Sequence, residues 1–219
     1  MLRIFKIVAT VAAIQLLMNI PAMAQPAPKI LLIVREPLKP GAEAEYDRIE
    51  SETATQAARY RCPHPYLALQ PLSGVKNEVW WFNDFDSQGE VNSVEKAYQT
   101  NEAWNAALTK NQKRKEPLTG KSAEQLADLE PQTHSQPWAL GRAQYVVVAI
   151  NPAARLSGSN AFKGRDGTRY EILMASTREE AERIVRGTDF VVLEVVPRWS
   201  FPAREWVDGN REIWKAASK

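Results

Sequence analysis

The sequence predicts an α+β fold, and three observations carry that expectation. Apolar runs of strand length recur along the chain, at Ile30-Leu31-Leu32-Ile33-Val34, Tyr145 to Ile150 and Phe190 to Val196. Between them lie segments whose apolar residues fall three and four apart, the spacing of an amphipathic helix. Two strands run directly into a capping box, Ser87-Gln88-Gly89-Glu90 and Thr177-Arg178-Glu179-Glu180, in which a hydroxyl and a carboxylate satisfy the first free amides of a helix. Alternating elements of this kind pack as a sheet covered by helices. With 44% hydrophobic and 25% charged residues in a chain of 219, the composition is that of a globular domain rather than a disordered or fibrous one.

The amino terminus reads as an address. Met1 to Lys6 carries two basic residues, Ile7 to Ile20 is largely apolar, and Ala22-Met23-Ala24 places small residues where signal peptidase reads them. The apolar run falls short of the ~20 residues that span a bilayer, so export with cleavage after Ala24 is expected rather than anchoring. The mature chain is then expected to be periplasmic or secreted, with no membrane contact. Cleavage removes Arg3 and Lys6 and no acid, which leaves 26 basic and 26 acidic groups. That balance provides no basic face for phosphates, so a nucleic-acid partner is not expected. Cys62 is the only cysteine, so no internal disulfide can form, and it reads as a small buried apolar residue.

The mature chain divides by its punctuation. The continuous apolar run from Ile30 is a strand covered on both faces. Pro40-Gly41 ends it, and Tyr46, Ile49, Thr53, Ala57 and Tyr60 mark one face of a helix that Pro63 and Pro65 stop. Tyr66 to Leu72 and Glu78 to Phe85 are strands joined through Ser73-Gly74. Ser87 opens a helix to Tyr98, and Glu102 to Lys115 reads as another with Trp104, Ala107 and Leu108 inward. Lys110, Lys113, Arg114 and Lys115 read as a solvated helix end favoured by the dipole. Ser122-Ala123-Glu124-Gln125 predicts a short further helix by the same capping logic. After a loop from Pro131 come the strand at Tyr145, a glycine- and serine-rich loop from Pro152 to Gly167, a strand at Tyr170 to Ala175, the capped helix through Val185 and the strand at Phe190. A polar helix with Trp206, Ile213 and Trp214 forms the tail.

Two strands begin with glutamate, Glu78-Val79-Trp80 and Glu171-Ile172-Leu173, and each leads into a capped helix. This matches an internal repeat: a signal peptide over 1–24, an α+β half over 25–140 with extra helices, a second degenerate half over 141–201 and a tail helix over 202–219. A single βαββαβ unit closed by Tyr145 to Ile150, with a C-terminal extension, fits the same pattern.

The stretch from Ile30 to Asn101 resembles the dimeric α/β-barrel superfamily, which includes antibiotic-biosynthesis monooxygenase-like and NIPSNAP-type proteins. The residues that carry the resemblance are Lys39-Pro40-Gly41-Ala42-Glu43 after the first strand, the helix with Tyr46, Tyr66-Leu67-Ala68-Leu69, Glu78-Val79-Trp80, and Phe85-Asp86-Ser87 opening the second helix. Tyr170 to Val196 looks like a weaker copy. The resemblance implies a fold of ferredoxin-like dimeric α/β-barrel type, its second sheet supplied by a homodimer partner or a tandem repeat. It also implies a cavity between sheet and helices for a small, often aromatic, ligand. Members include cofactor-free oxygenases and haem-handling enzymes. The loop from Pro152 to Gly167 stands where a second copy would carry its first helix.

Candidate chemistry is sparse. No G-x-S-x-G elbow, P-loop or G-x-G-x-x-G occurs. Cys62-Pro63-His64-Pro65 offers two ligands at most, so no protein-built metal site is expected, and His64 reads as exposed in a proline turn. No resident cofactor is expected; a haem could use His64 as its proximal ligand. Trp80, Trp81 and Phe82 form the densest aromatic cluster, with alternation sending Trp81 to the face opposite the other two. With Tyr66 they are the candidate ligand-binding residues. Glu194, mid-strand among Phe190, Val192 and Val196, is a candidate acid or base if buried, or a solvated residue if the strand is an edge. The leading expectation is an exported protein binding a small apolar or aromatic molecule. The rivals are a cofactor-independent or haem-dependent oxidoreductase and a structural protein whose tail docks on another chain.

Overall fold

The computed structural model describes residues 25–74, 77–131, 135–153, 155–185 and 190–215. The segment 1–24, expected from the sequence to be a signal peptide, and His134 lie outside the described residues. The elements in order are β1 (Ile30–Pro37), α1 (Glu43–Arg59), β2 (Leu67–Pro71), β3 (Glu78–Phe85), α2 (Gln88–Thr100), α3 (Glu102–Lys115), β4 (Ala123–Leu129) and β5 (Tyr145–Ile150). Then follow β6 (Asn160–Gly164), β7 (Arg169–Ala175), α4 (Arg178–Ile184), β8 (Phe190–Val195), a 3₁₀ turn (Pro197–Trp199), α5 (Arg204–Gly209) and α6 (Arg211–Lys215).

The strands close into one antiparallel barrel in the order β1-β3-β2-β8-β5-β7-β6-β4. Closure runs through β4, which pairs with β1 from Ile30↔Asp128 to Arg35↔Ala123 and with β6 from Ala127↔Gly164 to Leu129↔Phe162. Full closure leaves no strand edge exposed, and a barrel of eight strands is narrow enough for side chains to fill. Leu31, Ile33, Leu67, Leu69, Trp80, Phe82, Val146, Val148, Phe162, Ile172 and Leu193 fill it. The alternate residues face outward. On the β5, β7 and β8 side Val147, Leu173 and Val192 pack under α4 with Leu156, whereas α1, α2 and α3 cover the other side. The barrel closes within one chain, so both sheets come from it.

Three expectations change. The box at Ser122 opens a strand, β4, because the seam between β1 and β6 needs its backbone groups paired and Ala127 and Leu129 turn to the core; tertiary pairing overrides a helix-forming composition. The loop from Pro152 to Gly167 contains β6, whose Phe162 lies in the barrel. The tail divides into α5 and α6, and its Trp206 and Trp214 pack on the barrel's own core cluster rather than standing free for another chain.

Candidate functional site

The outer face of β1 and β3 and the helices above it enclose a cavity of about 320 Å³. Each wall follows from a periodicity. Alternation along the strands points Val34, Glu36, Trp81 and Asn83 outward. In α1, Glu50 and Thr53 are turned to the sheet together with Tyr46 and Ile49. In α3, Trp104, Leu108, Asn111 and Lys115 recur at helical spacing and form one inward face. Tyr98 of α2 and Tyr66, just before β2, complete an aromatic lining. Tyr66 meets Trp81 edge to face at 5.8 Å between ring centroids, and Tyr98 lies 6.4 Å from Trp104. The two long helices are tied by Asn111, whose Nδ2 donates to Thr53 Oγ1 and Gln56 Oε1 at 2.9 Å each, and by an Arg114–Glu52 pair at 2.7 Å.

A buried charge group closes one end of the cavity. Lys115 Nζ lies 2.5 Å from Glu50 Oε1 and 3.4 Å from Glu36 Oε2, and the Tyr46 hydroxyl donates to the same Glu36 oxygen. The ammonium also sits 5.5 Å from the Tyr46 ring centre and 5.8 Å from that of Trp81. Burial pushes the Glu50 carboxyl above its ordinary range against the pull of Lys115. On Lys115 burial acts downward, but the two carboxylates overcome it and leave its pKa raised. Burial likewise raises the Tyr46 and Tyr66 phenols, so both keep their protons.

The sequence candidates fall in different places. Tyr66 and Trp81 line the cavity. Trp80 and Phe82 are fully enclosed in the barrel core, on the opposite face of β3 from Trp81. His64 is buried rather than exposed in its turn: Nε2 donates to the Asp84 carbonyl at 3.0 Å and the ring stacks on Phe85 at 4.4 Å, with burial lowering its pKa. Glu194 lies on β8, an interior strand of a closed barrel and so not an edge; it is half-buried on the outer face, accepting from Gln144 Nε2 at 3.2 Å and the Tyr145 hydroxyl at 3.4 Å. Neither lines the aromatic cavity. Cys62 is buried, its thiol donating to the His64 carbonyl at 3.3 Å and lying 3.2 Å from the Tyr98 hydroxyl.

Sequence reasoning missed Lys115, Glu50 and Asp84. Lys115 belongs to the face of Trp104 by spacing, a signal masked by the run of lysines and arginine around it. Glu50 is polar on a helix face otherwise marked by Tyr46, Ile49 and Ala57. Asp84 accepts from the Trp138 indole at 3.0 Å beside His64, in a second cavity of about 340 Å³, and burial pushes its pKa up to about 6.

No family model matches the chain, and no curated protein matches it. Solved structures similar to it include a candidate monooxygenase from Lactobacillus acidophilus NCFM (10% identity, TM-score 0.46, covering 76% of this chain and 94% of that one). An anthrone oxidase-like protein is similar at 11% identity and a TM-score of 0.45, covering 77% and 92%. A candidate chlorite dismutase is similar at 8% identity and 0.42, covering 80% and 97%.

His64, the proximal haem ligand that the sequence offered, does not line the aromatic cavity. The aromatic cavity has no histidine or cysteine in its lining, and His64 has Nε2 committed to a peptide carbonyl and one ring face covered by Phe85. No group of three or more metal-ligating side chains occurs among the described residues.

Proposed function

We propose that the cavity between the barrel wall and helices α1 and α3 binds a small, largely apolar ring compound. The observation that carries this reading is the lining itself: Tyr66, Trp81, Tyr98 and Trp104 around about 320 Å³, within the volume range of small-molecule sites. Rings stack and meet edge to face on such walls with geometric preference. The strand orders β4-β1-β3-β2 and β8-β5-β7-β6 present the same pattern in each half, which supports two degenerate ferredoxin-like repeats in one chain. In the second half the segment before β6 takes the place of the first helix. There Leu156 and Ser159 both donate to Glu171 and cover the wall. We therefore assign the ligand to the first half alone. The signal-like amino terminus supports export, with the ligand met outside the cytoplasm.

Native mass spectrometry of protein recovered from its own compartment tests these points together, through the cleavage mass, the subunit number and any bound mass. A bound organic mass that disappears in Trp81→Ala supports the reading. A bound mass that persists in that variant places the ligand elsewhere.

A second reading is an enzyme, a cofactor-independent oxidoreductase acting on the same ligand. Glu50 favours it, because a carboxyl at a cavity wall whose pKa burial raises is a candidate to accept or return a proton. Oxygen uptake with a panel of phenols, lost in Glu50→Gln while binding persists, is the expected sign. Uptake equal in both proteins removes this reading.

A further inference from the structure

We infer that Tyr66 and Trp104 supply the unpaired hydrogen-bond donors of the cavity and select an uncharged ring compound that carries a hydrogen-bond-accepting oxygen. The inference rests on the cavity being a ligand site and adds the chemistry of what enters it. The observation behind it is an imbalance of hydrogen bonds. The indole N–H groups of Trp80, Trp138, Trp199 and Trp214 are all satisfied, by Glu78, Asp84, Asp47 and the Gly141 carbonyl. The hydroxyls of Tyr46, Tyr98 and Tyr145 have partners too. Trp104 Nε1 and the Tyr66 hydroxyl are buried and find no hydrogen-bond partner among the described residues. Trp104 is 1% exposed and Tyr66 9%, and both line the aromatic cavity within one cluster.

A buried donor without an acceptor is costly, and native structures rarely leave one without a reason. Two at one cavity point to a group that arrives with the ligand. The indole N–H only donates, so that group must accept. Charge narrows the choice further. Glu36, Glu50 and Glu124 line the cavity against Lys115 alone, and Lys115 is already held by Glu50 and Glu36. A carboxylate or phosphate ligand would meet surplus negative charge with no free cation, whereas a ketone, aldehyde or ether oxygen meets two waiting donors.

Equilibrium dialysis with three probes of one ring system tests this. They are 2-acetonaphthone, its oxygen-free counterpart 2-isopropylnaphthalene, and the anion 2-naphthoate. The ketone is expected to bind tightest, by about tenfold over the hydrocarbon for one neutral hydrogen bond made in a dry site. Tyr66→Phe, which removes one oxygen atom and keeps the ring, should cut that preference several-fold and leave the hydrocarbon unchanged. Trp104→Phe should do the same provided its circular dichroism matches the wild type; Tyr66→Phe decides the matter if it does not. Equal binding of ketone and hydrocarbon, or tightest binding of naphthoate, overturns the inference and leaves the cavity reading standing. No binding of any probe overturns both.

Discussion

Trp80 and Trp81 are adjacent in β3 and belong to opposite sides of the barrel wall. The Trp80 indole is fully enclosed, donates to Glu78 Oε2 at 2.9 Å and lies under the Arg35 guanidinium at 4.7 Å. The Trp81 ring remains partly exposed and faces Tyr66 across the helix-covered cavity. A single peptide thus divides fold from site, and alternation is the reason: successive side chains in a strand serve opposite faces.

That division predicts opposite outcomes for two alanine variants. Trp80→Ala opens a void in a filled barrel and deprives the Glu78 carboxylate of its indole donor, so it should cost about 3–5 kcal/mol in urea unfolding. Trp81→Ala removes a cavity wall and should cost stability about half as much or less, while weakening binding of a naphthyl probe by ~1–3 kcal/mol. Equal stability losses with unchanged probe binding would show that Trp81 is core as well.

The buried group of Glu36, Glu50 and Lys115 makes a second prediction. Lys115→Met keeps the stem and deletes the charge that offsets two buried carboxylates, so it should destabilise by about 3–5 kcal/mol. Adding Glu50→Gln should recover part of that loss, since the surplus carboxylate goes with it. The pH dependence has a definite sign. Glu50 has a raised folded pKa, so its stabilising contribution is present in acid and lost as pH rises through that value. Without Lys115 the loss grows, and the variant should lie nearest the wild type at low pH. A gap that widens on acidification would contradict this.

What could be read from the sequence follows from how local each signal is. The capping serine and threonine do cap: Ser87 Oγ accepts from Glu90 N at 3.1 Å and Thr177 Oγ1 from Glu180 N at 3.2 Å, both within one turn. That Trp81 turns to the face opposite Trp80 and Phe82 needs only its two neighbours, whereas which face meets the core depends on the distant strands that close the barrel. β4 was hidden because the third box, at Ser122, has the same local form, and only a partner strand 90 or so residues away in β1 decides its conformation. Lys115 was hidden for a like reason. Its fate depends on Glu50, contributed by a different helix, and a lysine among lysines carries no mark of which one turns inward. His64 misled in the other direction, since flanking prolines read as a surface turn, while Phe85 stacking and the Asp84 carbonyl draw the ring inside.

Asp84 supplies a third prediction. Its carboxyl is raised by burial to about 6 from an ordinary 3.8, the Trp138 N–H bond only partly offsetting the desolvation. The unfolded chain ionises first as pH rises, so the folded state loses stability between about pH 4 and 6, by roughly 2–3 kcal/mol at most. Asp84→Asn keeps an oxygen acceptor for Trp138 and cannot ionise. Unfolding midpoints measured across that window should fall with pH in the wild type and stay flatter in the variant. Parallel curves would place the titration elsewhere.

The tail makes the last prediction. Gly141 has φ +69°, a region that a side chain enters at a cost, and a Cβ there would lie 2.3 Å from Cδ2 of Trp206. Its carbonyl accepts from the Trp214 indole at 2.9 Å, and Trp206 stacks on Trp214 at 6.4 Å, so this glycine seats both tail tryptophans against the barrel. Gly141→Ala should destabilise by about 2–4 kcal/mol, from backbone strain plus the clash. Trp206→Ala alone should also destabilise by exposing the core beneath it. The two losses should not add, because once the indole is gone the new methyl has nothing to strike and only the backbone cost remains. A double variant well above the sum's prediction in stability is therefore the expected result of unfolding the four proteins side by side. Strict additivity would mean that the tail moves aside at no cost, and that the tryptophans are laid on the barrel rather than built into it.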